Sequence, residues 1–327
     1  MPADNKTQRR SQRAALALIA GAVATTAAAV LVGRAFRRDM RRARARVGGR
    51  SQIIASRFGA IEYADVGQGP PLMMIHGTGG GFDQSLRFSA RLIAAGRRII
   101  APSRFGYLLS DLPDDPSSAR QADAFAVLLD HLGIDRIPVA GGSAGALSAA
   151  AFAIRHPDRC ACLVLLVPAA NVLGKDPVVL AAWQKALLND VLGSDFLFWS
   201  ARRLAPETLI GLILATDPAL LQHVSADERS RAIGLLTDIM PVSLRTRGML
   251  NDALRAGQPD GTDYSAITTP MLVLSTEDDR FGTAETARAI AAMQPQARLV
   301  IYPSGGHIWL GHDADVADEI LRFTESL

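Results

Sequence analysis

A serine flanked by glycines is the residue of this sequence best placed to do chemistry. Residues 141–145 read GGSAG, which fits the pattern G-x-S-x-G, and they stand between an apolar run and an alanine-rich stretch. Such a turn between a strand and a helix holds its serine in a strained backbone conformation, so the neighbouring residues must be small. Ser143 is therefore a candidate nucleophile, and Gly141, Ala144 and Gly145 meet the requirement for small neighbours. The alternative is an ordinary glycine-rich turn.

A second glycine-rich turn could supply hydrogen-bond donors to a reacting carbonyl group. The sequence HGTGGG directly follows an apolar run and begins with His76 and Gly77. The backbone N–H of Thr78, or that of Gly79, could join the N–H of Ala144 as an oxyanion hole. The alternative is a phosphate-binding loop. This sequence lacks both the Lys-Ser/Thr of a P-loop and the spacing of a dinucleotide fingerprint.

A serine nucleophile needs a general base, and the base needs a carboxylate that orients it. His307 follows the last apolar run, so we expect it on a loop at the end of a strand. The other five histidines fall at helix ends, in the HGTGGG turn or in the stretch after residue 171. Asp279 follows the preceding apolar run and is the candidate orienting acid, with its neighbour Asp278 as the alternative.

Short apolar runs that alternate with helical stretches must position these residues, and this rhythm indicates an α/β fold. Strand periodicity is absent from about residue 171 to 260, which predicts a helical insert with helices at 177–192, 206–215 and 227–240. The α/β core would then comprise residues 51–170 and 261–327. The predicted strands are 51–64 (a hairpin of two), 72–75, 97–101, 137–140, 162–167, 271–275 and 299–302; the predicted core helices are 84–95, 117–132, 144–155, 283–293 and 314–326.

An insert between late strands is expected to cover the face where the strands end, which is where α/β sheets bind ligands. Apolar side chains of the insert could line an acyl pocket, or could form the insert's own core. These residues are Phe196, Phe198, Trp199, Leu209, Leu212 and Met240.

Taken together, these motifs resemble the α/β-hydrolase fold, of the bacterial type that carries a cap, over about residues 52–327. The resemblance implies a mostly parallel sheet with helices on both faces, with Ser143 as nucleophile, Asp279 as acid and His307 as base. Thr276 and the pair Gly282-Thr283 differ from the residues common at these positions in the family. Both differences could shift the loop that carries Asp279, so Asp278 remains the alternative acid. The matching stretches are HGTGGGFDQ, APSRFGYLLSDLP, VAGGSAGA with RHPDRC, PMLVLSTEDDRFG and PSGGHIWLGH.

The function predicted from these residues is hydrolysis of a carboxylic ester of an apolar or lipid-like small molecule. The resemblance leaves C–C bond hydrolysis, cofactor-free haloperoxidase-like activity and acyl transfer open, because they use the same triad. A serine at the turn argues against the epoxide hydrolase and haloalkane dehalogenase branches, which carry an aspartate there. A hydrolase-like scaffold that only binds a ligand is the non-enzymatic alternative. No metal or organic cofactor is expected.

The first 50 residues differ in character from the rest of the chain. Residues 14–33 carry no charge, and at 20 residues they could cross a membrane as a helix. The alternatives are a cleaved signal peptide, which would imply secretion, and a soluble alanine-rich helix. Eight arginines follow this run, so a single-pass anchor would place the catalytic part in the cytoplasm and bring the basic segment near anionic lipid.

Charge and cysteine content exclude two further classes of protein. Residues 1–50 hold 12 Lys and Arg against 2 acidic residues, a net +10, whereas the remaining residues carry −7. A mildly acidic body has no basic face for nucleic acid. Two cysteines, Cys160 and Cys162, are too few for a disulfide scaffold or a structural zinc cluster.

Overall fold

The computed structural model of this protein describes residues 4–170, 172, 174, 190, 192–255 and 262–326, with side chains described at 16, 18 and from 23 onward. The chain divides into two compact units, Met1–Ala45 and Arg46–Leu327. Helix α1, Asp4–Val47, makes up the first unit and continues two residues into the second. The arginine-rich stretch after residue 33 is therefore helical as far as Val47.

The predicted membrane span at 14–33 lies wholly within this helix. Among the described residues, however, no helix is long and apolar enough to cross a membrane. Positions 14, 15, 17 and 19–22 of the predicted span are outside the described side chains. Membrane crossing therefore stays a prediction.

An eight-stranded sheet organises the second unit, with the spatial order β1-β2-β4-β3-β5-β6-β7-β8. The pairs β1–β2 and β2–β4 are antiparallel, and the pairs from β4 across to β8 are parallel. The strands are β1 (Gln52–Ser56), β2 (Gly59–Val66), β3 (Pro71–Ile75), β4 (Arg98–Pro102), β5 (Ile137–Gly142), β6 (Cys160–Leu166), β7 (Met271–Thr276) and β8 (Arg298–Tyr302).

Four described helices lie between β6 and β7, and the described residues of this stretch contain no strand, as the sequence predicts. The predicted helix at 177–192 falls almost entirely outside the described residues. The helices of the second unit are α2 (Phe82–Phe88), α3 (Ala90–Ala94), α4 (Ser118–Leu132), α5 (Gly145–Arg155), α6 (Asp195–Leu204), α7 (Pro206–Ile213), α8 (Ala226–Asp238), α9 (Thr246–Arg255), α10 (Thr283–Met293) and α11 (Asp313–Glu325). We call the described residues 192–255, which carry α6–α9, the insert.

Both faces of the sheet are buried, as parallel sheets require. Alternate side chains of one strand enter different cores: Met73 and Ile75 of β3 face one, and Leu72 and Met74 face the other. Helices α4, α5 and α10 pack on the first face. Helices α2, α3 and α11 pack on the second. The predicted α/β-hydrolase architecture is therefore confirmed in its order of elements and its two helical layers.

The parallel strands bring the candidate residues to one edge of the sheet, because their carboxyl ends all point the same way. The HGTGGG turn follows β3, Ser143 follows β5, Asp279 follows β7 and His307 follows β8. The insert leaves the sheet at the end of β6, which is at this same edge.

Candidate active site

Ser143 occupies a tight turn between β5 and α5. Its φ of 51° lies in the left-handed region, which is uncommon for a residue with a side chain. The turn is held by two backbone hydrogen bonds: the Ser143 N–H donates to Leu166 O at 2.8 Å, and the Ala146 N–H donates to Ser143 O at 3.0 Å. The strained serine of the G-x-S-x-G pattern is therefore present in the structure.

Two of the three glycines of this turn, Gly141 and Gly145, are required by close approach. A Cβ atom added at Gly145 would lie 2.5 Å from His76 O and 2.6 Å from Ile75 O, both of them backbone atoms at the end of β3. A Cβ atom added at Gly141 would lie 2.5 Å from Gly145 O. The start of α5 can therefore approach β3 only because Gly145 lacks a side chain, and it can approach its own strand β5 only because Gly141 lacks one.

His307 and Asp279 lie side by side at the ends of β8 and β7. The His307 Nδ1–H donates to Asp279 Oδ2 at 2.8 Å, and both side chains are nearly fully buried. Asp279 also accepts the Phe281 N–H at 2.9 Å and the hydroxyl of Thr283. With the proton on Nδ1, Nε2 of the neutral ring carries a lone pair that can accept a proton.

The carboxyl group of Asp279 is held ionised by its partners. Burial alone raises its pKa, but the hydrogen bond to His307, the charge of His307 and the Thr283 hydroxyl outweigh burial and keep the pKa below its ordinary value of 3.8. The pair therefore has the arrangement by which a carboxylate fixes the tautomer and orientation of a catalytic imidazole.

The neighbouring carboxylate, Asp278, has different hydrogen-bond partners. Its carboxylate accepts the N–H of Gly305 at 3.2 Å and that of Gly306 at 2.8 Å, so it fastens the loop that carries His307. The structure thus pairs Asp279, and not Asp278, with the imidazole.

The residues that depart from the family pattern strengthen these loops. Thr276 donates to Gly306 O at 2.7 Å, and Thr283 bonds to both Asp279 and Ser275. The hydroxyl groups of Thr276 and Thr283 therefore connect the loop that carries Asp279 to β7 and to the loop that carries His307.

The HGTGGG turn lies against the serine. A Cβ atom added at Gly77 would stand 3.1 Å from Ser143 Cβ. His76 is fully buried, its Nδ1–H donates to Gly77 O at 2.7 Å, and its Nε2 accepts the Arg104 N–H at 2.8 Å. Burial and the charge of Arg104 hold the His76 pKa well below 6.5, so the ring is a neutral support of the turn.

Of the three candidate oxyanion donors, one is already engaged. The Gly79 N–H donates to the Tyr107 hydroxyl oxygen, although the N···O distance is a long 3.4 Å. Within the described part of the chain, the N–H groups of Thr78 and Ala144 donate to no protein group. Those two N–H groups are the ones left to bind an anionic oxygen.

The candidate nucleophile and the candidate base are not hydrogen-bonded to each other in this structure. Among the described residues, no hydrogen bond joins Ser143 to His307. Hydrogen bonds between catalytic groups are often long without substrate and tighten when it binds.

A buried polar cluster behind the HGTGGG turn has no counterpart in the sequence-based predictions. It comprises Arg104, Tyr107 and Asp252, with the hydroxyl of Thr78 joined to it. Arg104 and Tyr107 belong to the stretch SRFGY just after β4, which is a detectable signal because that strand also ends at this edge. Asp252 lies on α9 among other charged residues and carries no sequence signal.

The apolar residues predicted to line an acyl pocket divide into two groups. Phe198, Trp199, Leu209 and Met240 are buried, whereas 44% of Phe196 and 70% of Leu212 are exposed. Another residue of the insert comes close to the glycine turn: a Cβ atom added at Gly79 would lie 3.5 Å from the Ile239 side chain. Acyl-pocket lining therefore stays a prediction.

The close approach at Gly145 predicts a loss of stability for Gly145→Ala. The added methyl group would displace backbone oxygens of β3, so we expect the free energy of unfolding to fall by about 1–3 kcal/mol, measured by urea denaturation. Gly193→Ala is the control, because an added Cβ there meets nothing within 4 Å, and it should change stability by less than about 0.5 kcal/mol. Equal stabilities for the two variants would contradict the close approach.

Comparison with known proteins agrees with this geometry. Residues 70–311 match the family model described as alpha/beta hydrolase fold. An uncharacterized hydrolase of Bacillus subtilis, YcgS, is 28% identical over 295 residues, which cover 85% of this chain and 99% of the relative. A 2-hydroxy-6-oxo-6-phenylhexa-2,4-dienoate hydrolase of Burkholderia cepacia is 27% identical over 76% of this chain and 84% of its own length.

A solved structure gives the same result. An alpha/beta hydrolase fold protein from Nakamurella multipartita superposes with a TM-score of 0.70 at 25% identity, covering 84% of this chain and 98% of its own. Since the family model spans more than half of the sequence, and the sheet order and the turns at its edge agree with it, this chain belongs to the α/β-hydrolase-fold family and is an enzyme of that family.

Proposed function

We propose that this enzyme is a serine hydrolase that cleaves a carboxylic ester of an apolar small molecule. Ser143 would be the nucleophile, His307 the general base and Asp279 the acid that orients the base. The observation that carries the proposal is the buried 2.8 Å hydrogen bond from His307 Nδ1 to Asp279, at the same sheet edge as the strained serine. It leaves Nε2 as the ring nitrogen able to take the proton of a serine hydroxyl.

The reaction would proceed through an acyl-enzyme. Ser143 Oγ bonds to the carbonyl carbon of the ester while His307 Nε2 accepts the hydroxyl proton. The tetrahedral intermediate collapses, the bond to the alcohol oxygen breaks, and His307 returns the proton to that oxygen. A water molecule then attacks the acyl-enzyme by the same steps and releases the carboxylic acid and free Ser143.

We assign the oxyanion hole to the backbone N–H groups of Thr78 and Ala144. Neither donates elsewhere within the described residues, and Ala144 lies at the start of α5, where the helix dipole favours negative charge. Gly79, the other candidate, donates to Tyr107. We therefore leave it out of the hole.

An apolar substrate is supported by one side chain next to the base. Phe281 packs edge-on against the His307 ring, with 4.9 Å between ring centroids, and 58% of it is exposed. A large exposed aromatic ring beside a buried catalytic histidine offers an apolar contact to a bound molecule.

Hydrolysis of a C–C bond is the second candidate function. The Burkholderia cepacia relative is named for a substrate whose hydrolysis breaks a C–C bond beside a ketone, and the same three residues could serve such a reaction. The two functions differ in the leaving group, which is an alcohol oxygen in the ester and a carbon in the second case. Haloperoxidase-like activity and acyl transfer have no specific observation in their favour.

We also propose that residues 1–50 attract the enzyme to anionic lipid, with the catalytic unit on the cytoplasmic side. The support is the net charge of +10 on this segment and its continuous helix as far as Val47. Arginines near a membrane are drawn to anionic headgroups by about 1 kcal/mol each.

The first prediction of the proposed function concerns Ser143→Ala. The full-length enzyme should react covalently with a fluorophosphonate probe and hydrolyse p-nitrophenyl esters, and the variant should lose labelling and at least about 10³-fold in kcat. Ser148→Ala is the control: this serine is buried and lies about one turn along α5 from the start of the helix, and labelling should persist.

The substrate panel separates the two candidate functions. Turnover of p-nitrophenyl esters that rises with acyl chain length would support the apolar ester. Labelling at Ser143 with turnover only of 2-hydroxy-6-oxo-6-phenylhexa-2,4-dienoate would move the assignment to C–C bond hydrolysis. A folded enzyme with no labelling would contradict both.

The assignment of the acid predicts opposite results for two adjacent substitutions. Asp279→Asn should lower kcat by roughly 10⁴-fold, because an amide no longer fixes the productive tautomer of His307. Asp278→Asn keeps an oxygen that can accept from the His307 loop, so kcat should fall by less than about 10-fold. Steady-state kinetics on the best ester measures both, and the reverse pattern would make Asp278 the acid.

Lipid attraction is tested by sedimentation of the full-length enzyme with vesicles. Binding to phosphatidylglycerol vesicles, weak binding to phosphatidylcholine vesicles, and release in 1 M salt are expected for an electrostatic contact, because the Debye length there is only about 3 Å. Retention that only detergent reverses would indicate a membrane span. Equal, weak binding to both kinds of vesicle would refute the proposal.

A further inference from the structure

Asp252 on α9 lies behind the HGTGGG turn and accepts hydrogen bonds from three side chains. The Thr78 hydroxyl donates to its Oδ2 at 2.8 Å, and the Tyr107 hydroxyl donates to the same oxygen at 2.6 Å. Arg104 donates to both carboxylate oxygens, at 2.9 and 2.5 Å. Apart from Thr78, every member of this cluster is buried.

The hydrogen bonds of this cluster lead directly to the backbone of the turn. Thr78 carries one of the two N–H groups assigned to the oxyanion hole, and its own side chain is tied to Asp252. The Tyr107 hydroxyl gives its proton to Asp252 and accepts the N–H of Gly79. One carboxylate therefore constrains two consecutive residues of the turn, one through its side chain and the other through its backbone.

The direction of these hydrogen bonds is set by the charges of the cluster. Burial, together with the negative charge of Asp252, raises the pKa of Tyr107 well above 10. The phenol therefore keeps its proton and donates it to the carboxylate, and its oxygen is left to accept from Gly79. Arg104 neutralises Asp252, as a buried carboxylate requires.

A glycine turn needs such support because its own residues provide little. Gly77, Gly79 and Gly80 have no side chains, and each glycine has more backbone freedom than any other residue. An oxyanion hole works only when its donors are already aimed at the position of the developing charge. The Thr78 N–H belongs to the same planar peptide group as Gly77 O, which accepts from His76 Nδ1 at 2.7 Å and from the Gly80 N–H at 3.2 Å. The bond from the Thr78 hydroxyl to Asp252 adds a restraint on the other side of this peptide group, at Thr78 itself.

We propose that Asp252 is a positioning residue of this enzyme: through Thr78 and Tyr107 it holds the oxyanion turn in its active geometry. This inference rests on the proposed serine hydrolase function. Asp252 comes from the insert, whereas the turn and the serine belong to the core. The seating of α9 on the core therefore sets the oxyanion geometry, and the insert acts on the rate of the reaction as well as on the choice of substrate.

The test compares Asp252→Asn with Asp123→Asn. Asp123 is an equally buried carboxylate that pairs with an arginine through two hydrogen bonds, both of 2.9 Å to Arg155 at the far end of α5. Each variant therefore loses a buried carboxylate that pairs with an arginine through two hydrogen bonds, one at the turn and one away from it. The partner arginine is buried at the turn and partly exposed at the end of α5, where Asp123 also contacts His156. Both are measured on the best ester, in the full-length enzyme, well below their unfolding temperatures.

The expected result is a split between kcat and KM. Asp252→Asn should lower kcat by 10- to 100-fold with KM changed less than threefold, because the donors matter most when the oxyanion forms. Asp123→Asn should keep kcat within threefold of the parent enzyme. Equal kcat values for the parent and Asp252→Asn would overturn the inference, and so would equal losses in both variants, since these would indicate a general effect of stability.

A second pair of variants serves if Asp252→Asn does not fold. Thr78 is exposed, so Thr78→Val removes the hydroxyl that reaches Asp252 with little effect on folding. It should lower kcat at least tenfold, and Thr78→Ser, which restores a hydroxyl, should recover most of that loss. Equal kcat for the Val and Ser variants would overturn the inference.

Failure of the proposed function would be recognised separately. If the parent enzyme and Asp123→Asn are labelled by the fluorophosphonate probe and turn over ester, the serine hydrolase assignment stands, and only the results for Asp252 and Thr78 bear on the inference. If the folded parent enzyme is not labelled, the proposed function fails, and the role of Asp252 in an oxyanion hole fails with it.

Discussion

The contact between the start of helix α5 and the end of strand β3 determines where the rest of the candidate site has to lie. Gly145 stands so close to the backbone oxygens of Ile75 and His76 that no side chain fits between them. This closeness places Ala144, whose N–H donates to no other described residue, beside the residues that follow β3. Ser143, two residues before Gly145, adopts the left-handed conformation with a φ of 51°. The candidate nucleophile and the turn that carries the candidate donors are therefore in close contact, since a Cβ atom added at Gly77 would lie 3.1 Å from Ser143 Cβ.

That same closeness creates the need for support from other parts of the chain. The turn after β3 can lie against Ser143 only because it is made of small residues, and small residues cannot hold their own conformation. His76, Gln84 and Asp252 hold it through hydrogen bonds, and the fully buried Arg245 of the insert donates to Gly80 O. Buried ion pairs often contribute little net stability, because desolvation offsets their attraction. Arg245 also pairs with Asp83 at 2.8 Å. We interpret the pairs Arg104–Asp252 and Arg245–Asp83 as contacts that specify the geometry of this turn.

The sequence was informative wherever a chemical group and the element that positions it are neighbours along the chain. Ser143 and His307 each follow a recognisable apolar strand, so parallel pairing alone predicts that they meet at one edge. The sequence favoured Asp279 and left Asp278 as the alternative, because the two are adjacent and the choice depends on which carboxylate faces the imidazole. The partner of the Gly79 N–H was hidden for a related reason, since Tyr107 reaches it across a separation of 28 residues.

Asp252 shows the limit of such reasoning most clearly, because it is 174 residues from the threonine that it binds. No local pattern marks an aspartate on an amphipathic helix as different from its solvated neighbours. The insert therefore contributes to the site in a way that hydrophobic patterning cannot reveal. The apolar residues of the insert bear on the fit of the substrate, whereas its buried Asp252 contacts Thr78 of the turn that we propose as the oxyanion hole. Ester hydrolysis and C–C bond hydrolysis both need that stabilised oxygen and differ only in the group that leaves. The charged contacts of the insert would then serve either reaction, and the choice between the two depends on what the insert and Phe281 present to the leaving group.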